Sequence, residues 1–154
     1  MTAPVAPTVR TATTAAECAA IRPLVESHID FECGSAAVAP DWADTLAGFV
    51  EEGRLRVFVA SDASGPVGYA TATTDVATWT GEIFAHLDCL FVLDTRRGSG
   101  IGSLLVQAVV EDARNRGLRR LEWQTPEWNA PAIGFYERLG ATHLPKRRFA
   151  LALE

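Results

Sequence analysis

The chain has 154 residues, 48% hydrophobic, 8% aromatic and 21% charged, which predicts one domain with one ordinary globular core. Its net charge of −5, from 19 acidic and 14 basic residues, weighs against nucleic acid as a partner and favours neutral or cationic small molecules. No run approaches the roughly 18 apolar residues of a membrane span, residues 1–9 carry no signal-peptide pattern, and three cysteines (Cys18, Cys33, Cys89) without metal or redox spacing predict a cytoplasmic setting and no metal site.

Residues 1–7 read as a flexible, proline-containing leader and 8–12 as a first strand. Thr14 and Glu17 have the spacing of a capping box, which predicts a helix to about Phe31 with Pro23 as a kink site inside it. A loop follows over 34–40, then a second helix over 41–52, stopped by Gly53. Residues 55–61 alternate as a strand, 62–65 form a turn, and 66–74 form its hairpin partner. The longest strand candidate covers 83–93, and a helix follows over 100–116 with Ile101, Leu104, Leu105, Ala108 and Val109 on one apolar face. Gly117 ends that helix. Residues 119–125 read as a strand, and 129–139 as a short helix with Asn129 as N-cap, Pro131 in the first turn and Gly140 at its end. Two strands, 141–144 and 148–153, close the chain. The order β α α β β β α β α β β describes a mixed α/β fold without repeats.

The turn at 96–102 reads Arg-Arg-Gly-Ser-Gly-Ile-Gly between a strand and a helix. Such a turn presents bare backbone N–H groups together with the positive end of the helix dipole, a receptacle for a phosphorylated cofactor. A dinucleotide fingerprint would place its third glycine one residue later, and a P-loop would need a lysine that this turn lacks. What remains, Arg97-x-x-Gly100-x-Gly102, resembles the acetyl-CoA pyrophosphate loop of the GNAT superfamily of N-acetyltransferases. A Gly-rich structural turn is the alternative.

Residues 127–141, Glu-Trp-Asn-Ala-Pro-Ala-Ile-Gly-Phe-Tyr-Glu-Arg-Leu-Gly-Ala, resemble a second segment of that superfamily, in the same order and spacing relative to the glycine turn. Asn129 and Tyr136 are seven residues apart, so they share a helix face, while Ile133, Phe135 and Leu139 point elsewhere and pack. A tyrosine hydroxyl beside a leaving thiolate can protonate it, because the two pKa values lie in one region. Taken alone, Tyr136 reads as a core tyrosine with a satisfied hydroxyl, and it is the glycine turn upstream that favours the acid role.

In the strand 86–93, period two places His86, Asp88, Leu90 and Val92 on one face. An ionisable residue in an apolar strand is costly unless it is used or paired. Asp88 falls where polyamine-type members of the superfamily carry an acid, which makes it the candidate to attract an ammonium group and relay its proton. A structural carboxylate is the alternative reading, and His86 is a second candidate base. Cys89, where those relatives can carry a second acid, is expected to face away from Asp88 as a small core residue.

The resemblance extends to the spermidine/spermine and thialysine acetyltransferase branch through Trp79 in the loop before this strand and the Phe31-Glu32 pair. It implies a mostly antiparallel sheet flanked by helices, a homodimer, and direct acetyl transfer from acetyl-CoA to a small cationic amine in a ternary complex. Backbone groups of Leu90, Phe91 and Val92 would hold the pantetheine arm. Arg97, Gly98, Ser99, Gly100, Ile101, Gly102 and Ser103 would hold the pyrophosphate, and Asn129 would bond the cofactor. Tyr136 would be the acid and Asp88 would assist the base step. Phe31, Glu32, Trp79, Asp88 and Trp128 would line the acceptor mouth, where aromatic faces and carboxylates suit a cation. Antibiotic or peptide amines, and a non-catalytic acetyl-CoA sensor, are the rival functions.

Overall fold

In the computed structural model, which describes residues 5–153, the alternating apolar segments form a five-stranded sheet ordered β1-β2-β3-β4-β5. The strands are β1 (Thr8–Ala12), β2 (Arg56–Asp62), β3 (Gly65–Ala77), β4 (Glu82–Val92) and β5 (Leu121–Trp123). The first four pair antiparallel in sequence order, and β5 joins β4 in parallel. The helices are α1 (Ala15–Ala20), α2 (Arg22–Phe31), α3 (Trp42–Glu51), α4 (Ile101–Asn115) and α5 (Ala130–Arg138). The mixed α/β class and the mostly antiparallel sheet are therefore as expected. The chain separates into two compact units: one ends at Gln124 and holds the sheet with α1–α4, the other begins at Thr125 and holds α5. No helix among the described residues is long and apolar enough to cross a membrane. The expected leader lies partly outside the described residues, at 1–4.

In the first unit the two faces of the sheet are covered separately. Phe58, Ala60, Ala70, Ala72 and Leu87 pack against Ile101, Leu105 and Val109 of α4. Ala12, Val57, Tyr69 and Phe91 pack on the other face against Cys18, Ile21 and Leu24, with Trp42 and Leu46 of α3 beside them. Burying apolar area on both faces at about 25 cal/mol per Å² is the main force holding these layers. Arg56 of β2 adds a polar tie to α4, its Nε donating to Asp112 Oδ1 at 3.0 Å.

Three sequence expectations change. The helix expected from Thr14 to Phe31 is two helices. The capping box is present, with Thr14 N donating to Glu17 Oε2 at 3.0 Å and Glu17 N to Thr14 Oγ1 at 3.2 Å. The break falls at Ile21, and Pro23 stands in the first turn of α2, where its missing N–H costs nothing.

The closing strands expected over 141–144 and 148–153 do not form: 141–153 carries neither helix nor strand. The alternation of Phe149, Leu151 and Leu153 is real, but all three side chains are exposed and no strand among the described residues pairs with them. Apolar alternation makes a strand only where a ladder partner takes up the backbone groups.

The third change is in β4. Thr71 pairs with Cys89, and the next residue, Ala72, pairs with Leu87, so Asp88 is one extra residue in β4. This β-bulge resets the strand's phase. Leu90 and Val92 lie with Leu87 on the α4 face, whereas Cys89 and Phe91 lie on the opposite face. His86, Asp88, Leu90 and Val92 therefore do not share one face, as period two requires of an unbroken strand.

Candidate active site

Beyond Val92 the chain passes through one 3₁₀ turn, Asp94–Arg96, into the glycine turn. Two bonds fix this passage: Leu93 N donates to Val67 O at 2.9 Å, and Arg96 Nε donates to Asp62 Oδ2 at 2.7 Å. Two further bonds to Asp62 come from the N–H and hydroxyl of Ser64. Together the Ser64 and Arg96 bonds hold the Asp62 carboxyl down to about 2. Gly98 and Gly100 adopt φ of +75° and +84°, the left-handed region that a side chain enters only at a cost, and Gly100 is the N-cap of α4. The first helical amide with a backbone partner is Leu104 N, bonded to Gly100 O at 3.1 Å. Among the described residues, no carbonyl accepts from the amides of 98–103. A Cβ built on Gly98 or Gly100 meets nothing within 4 Å. The turn is thus an open, electropositive cradle of N–H donors at the head of a 15-residue helix, and this donor set fits a diphosphate.

Beside the turn, β5 pairs with β4 only from Ala85 to Leu87, so among the described residues no strand lies on that side of Asp88 through Val92. The bulge lies where this pairing ends. Asp88 is exposed there, and the Cys89 thiol donates to its Oδ2 at 3.7 Å. Cys89 does not face away from Asp88 as expected, because the extra residue turns both toward one face. Burial, then the Asp88 charge, push the Cys89 thiol up to about 11, so it is no thiolate nucleophile at neutral pH.

The end of α2 meets the same region. The Arg97 guanidinium lies 4.5 Å from the Phe31 ring centroid and 5.4 Å from that of Phe91. Its Nε donates to Val92 O at 3.0 Å, and its Nη1 pairs with Asp94 at 2.7 Å. Arg97 therefore ties the glycine turn to the aromatic end of α2. Glu32 Oε1 lies 3.3 Å from His28 Nε2, and His28 Nδ1 lies 2.7 Å from the Tyr69 hydroxyl. Sequence reasoning missed His28 and Tyr69. The four-residue spacing of His28 and Glu32 on one helix was a usable signal. The Tyr69 contact, 41 residues away, had none.

Phe31, Glu32, Asp88, Leu90, Phe91, Val92 and the residues 97–103 are thus carried by adjoining elements of the first unit. Trp79 is not among them: it stands fully exposed in the β3–β4 turn, roughly 20 Å of strand away from Asp88 at 3.3 Å per residue. In the second unit, Asn129 is buried and its Oδ1 caps α5 by accepting from Ala132 N at 3.4 Å. Tyr136 lies on α5 with its ring 5.3 Å from that of Phe135, so Phe135 does not point wholly away from it. Trp128 is exposed just before α5.

The sequence profile of the acetyltransferase (GNAT) family matches residues 23–141, from α2 through α5. The chain belongs to the GNAT family. It is an acyltransferase by that membership. Thialysine N-epsilon-acetyltransferase of Caenorhabditis elegans is 27% identical over 123 residues, 80% of this chain and 76% of that protein. The L-methionine sulfoximine/L-methionine sulfone acetyltransferase of Pseudomonas aeruginosa is 38% identical over 100 residues, 64% of this chain and 55% of that protein. The mouse thialysine enzyme is 34% identical over 84 residues, about half of each chain. The fold is shared with an aminoglycoside acetyltransferase from an uncultured soil metagenomic sample, at a TM-score of 0.82 and 17% identity over 96% of this chain and 97% of that one.

Proposed function

We propose that this GNAT protein transfers an acetyl group from acetyl-CoA to a primary amine of a small, cationic, amino acid-like acceptor. The single observation that carries the reading is the cradle of unpaired amides at 98–103, set directly after a strand whose β5 side is open from Asp88 to Val92. Relatives named for thialysine and for L-ornithine, the latter an N5-acetyltransferase of Arabidopsis thaliana 39% identical over 56 residues, support an amino acid-like acceptor.

Acetyl-CoA supplies the activated thioester. In the first unit, the amides of Gly98 through Ser103, with Arg97 beside them, hold its diphosphate, and the backbone of Leu90 through Val92 on the side that β5 leaves open bonds its pantetheine arm. A backbone N–H beside Leu90 lies ready for the charge that develops on the thioester oxygen. Asp88, exposed at the bulge, draws the acceptor ammonium and takes its proton through water, since only the neutral amine attacks carbon. The C–N bond forms as the C–S bond breaks. Asn129 and Tyr136 of the second unit take their roles, cofactor binding and protonation of the leaving thiolate, from the resemblance alone. Holding two reactants together supplies much of the rate.

The test is release of free thiol from acetyl-CoA across diamines, polyamines, amino acids with side-chain amines, aminoglycosides and peptides. The expected result is turnover with the amino acids, and loss of the acidic limb of the pH–rate profile in Asp88→Asn. No turnover with any amine overturns the reading; turnover with aminoglycosides or peptides alone overturns the acceptor class.

A further inference from the structure

The resemblance puts Glu32 and Asp88 at the acceptor mouth, and the acetyl-transfer reading gives no role to His28 and Tyr69 beside them. His28 stands on α2 one turn before Glu32, and its ring stacks on Phe91 at 5.0 Å between centroids and 21° between planes. The ring is therefore held flat, with one nitrogen toward each of two partners. Glu32 is a carboxylate and has no proton to donate, so Nε2 carries the ring proton and donates it across 3.3 Å. Nδ1 is then bare and accepts the Tyr69 O–H at 2.7 Å. Tyr69 is only 2% exposed, and burial, followed by Cys89, Asp88 and Glu32, pushes its hydroxyl far above the ordinary range, so it stays a donor at every working pH. Cys89 packs in the same cluster as Tyr69, and its thiol donates to Asp88 Oδ2 at 3.7 Å. Hydrogen bonds thus form a line, Glu32–His28–Tyr69, that ends on a carboxylate, with the Cys89–Asp88 pair packed beside it.

We propose that His28 is a positioning residue for the acceptor: neutral, it fixes the Glu32 carboxylate by one hydrogen bond and leaves its charge for the cationic amine, and protonated, it offsets that charge. The inference rests on the acetyl-transfer reading and deepens it. Protonation puts a second N–H on the ring. Nδ1 then no longer accepts, and the Tyr69 hydroxyl must turn its proton away from the ring. The Nε2–H···Glu32 bond becomes a full ion pair, so the ring offsets the Glu32 charge that faces the amine when His28 is neutral. The charged or titratable groups gathered here are Glu32 on the same helix, Tyr69 on β3, Cys89 and Asp88 on β4, and Arg97 over the Phe91 ring. Phe91, which carries both the His28 stack and the Arg97 contact, separates the line from the glycine turn, so the effect falls on the amine and not on acetyl-CoA.

The experiment has a kinetic and a spectroscopic arm. Steady-state constants are measured against pH for the wild type, His28→Gln and His28→Leu, with the best amine of the thiol-release panel. His28→Leu removes both bonds and raises KM for the amine about ten-fold, with kcat and KM for acetyl-CoA little changed. His28→Gln keeps a donor and an acceptor but cannot titrate. Its KM for the amine stays near the wild-type alkaline value and loses the rise at low pH that exceeds the amine's own ionisation. Should His28→Leu misfold around the orphaned Tyr69 hydroxyl, the double variant His28→Leu/Tyr69→Phe removes that orphan and reads the same KM. In the second arm, ¹⁵N NMR of the ring nitrogens, assigned with variants of His86 and His143, is expected to find Nε2 protonated and Nδ1 bare. An Nδ1–H tautomer, or identical KM–pH curves for wild type and His28→Gln, overturns the proposal. If the wild type acetylates no amine, the acetyl-transfer reading has failed, and the NMR arm still decides the hydrogen-bonded line.

Discussion

Gly100 is the position at which the phosphate-cradle argument is most exposed to test. Its φ of +84° and ψ of 0° lie in the left-handed region, and a Cβ there meets no atom within 4 Å. Alanine therefore clashes with nothing in the protein and pays only the backbone strain, about 1–2 kcal/mol, less about 0.5 kcal/mol from a less flexible unfolded chain. The net loss of about 1 kcal/mol lowers Tm by about 2–4 °C in a domain of this size. Binding should suffer far more. The added methyl enters the open space at the turn, and if it keeps a diphosphate from even two of the amides of 98–103 it forfeits about 1.5–3 kcal/mol for each charge-assisted bond.

Gly117 supplies the control. It too is left-handed, with φ of +77° and nothing within 4 Å of a Cβ, but it caps the far end of α4. Gly117→Ala should cost the same few degrees and leave acetyl-CoA binding untouched. Thermal melts give the stability of both variants, and titration calorimetry with acetyl-CoA gives the affinity. Gly100→Ala is expected to bind about 100-fold more weakly or worse. If it melts a few degrees low yet binds acetyl-CoA like the wild type, the amides of this turn do not hold the cofactor.

Three further outcomes are expected. Tyr136→Phe should slow single-turnover transfer while leaving acetyl-CoA affinity intact; an unchanged single-turnover rate removes the hydroxyl from the acid role. The Asp62 carboxyl is held down to about 2, below the ordinary 3.8, by Ser64 and then Arg96. A depressed carboxyl stabilises the fold above its unfolded pKa and loses that contribution as pH falls through its folded one. The stability gap between wild type and Asp62→Asn should thus be full above 3.8 and close toward about 2; a gap constant across that window, followed by denaturant melts, contradicts the ion pair's role. Finally, Cys89, with its thiol pushed up to about 11, should alkylate much more slowly at about pH 8 than exposed Cys33. Peptide mass mapping that finds the two labelled at equal rates would show a thiolate at Cys89 and reopen an acyl-cysteine route.

Local signals carried most of the fold. The Thr14–Glu17 box, the alternation of 55–61 and the apolar face of 101–109 each state an element within its own few residues, and each element is present. The failures needed information from elsewhere in the chain. Phe149, Leu151 and Leu153 have a strand's pattern, but pairing depends on a neighbour that the pattern does not name. The site was legible where backbone makes it, at Gly98 and Gly100, because left-handed φ has a sequence mark. Where side chains meet across elements, as His28 meets Tyr69, no spacing announces it.

The bulge at Asp88 joins these two cases. No glycine marks it, yet one residue decides which chemistry the sheet can offer. Without it, Cys89 and Phe91 would keep phase with Leu87 and point at α4, where Ile101, Leu105 and Val109 already fill the core. His28 would lose the ring it stacks on, and Arg97 would lose one of its two aromatic faces. The extra residue also comes where β5 stops pairing, so the strand turns its polar groups to one face at the point where its backbone becomes free to bind. Asp88 is therefore informative less for its own charge than for its count. It is the residue that exchanges the two faces of β4 midway along the strand, where its backbone becomes free of β5.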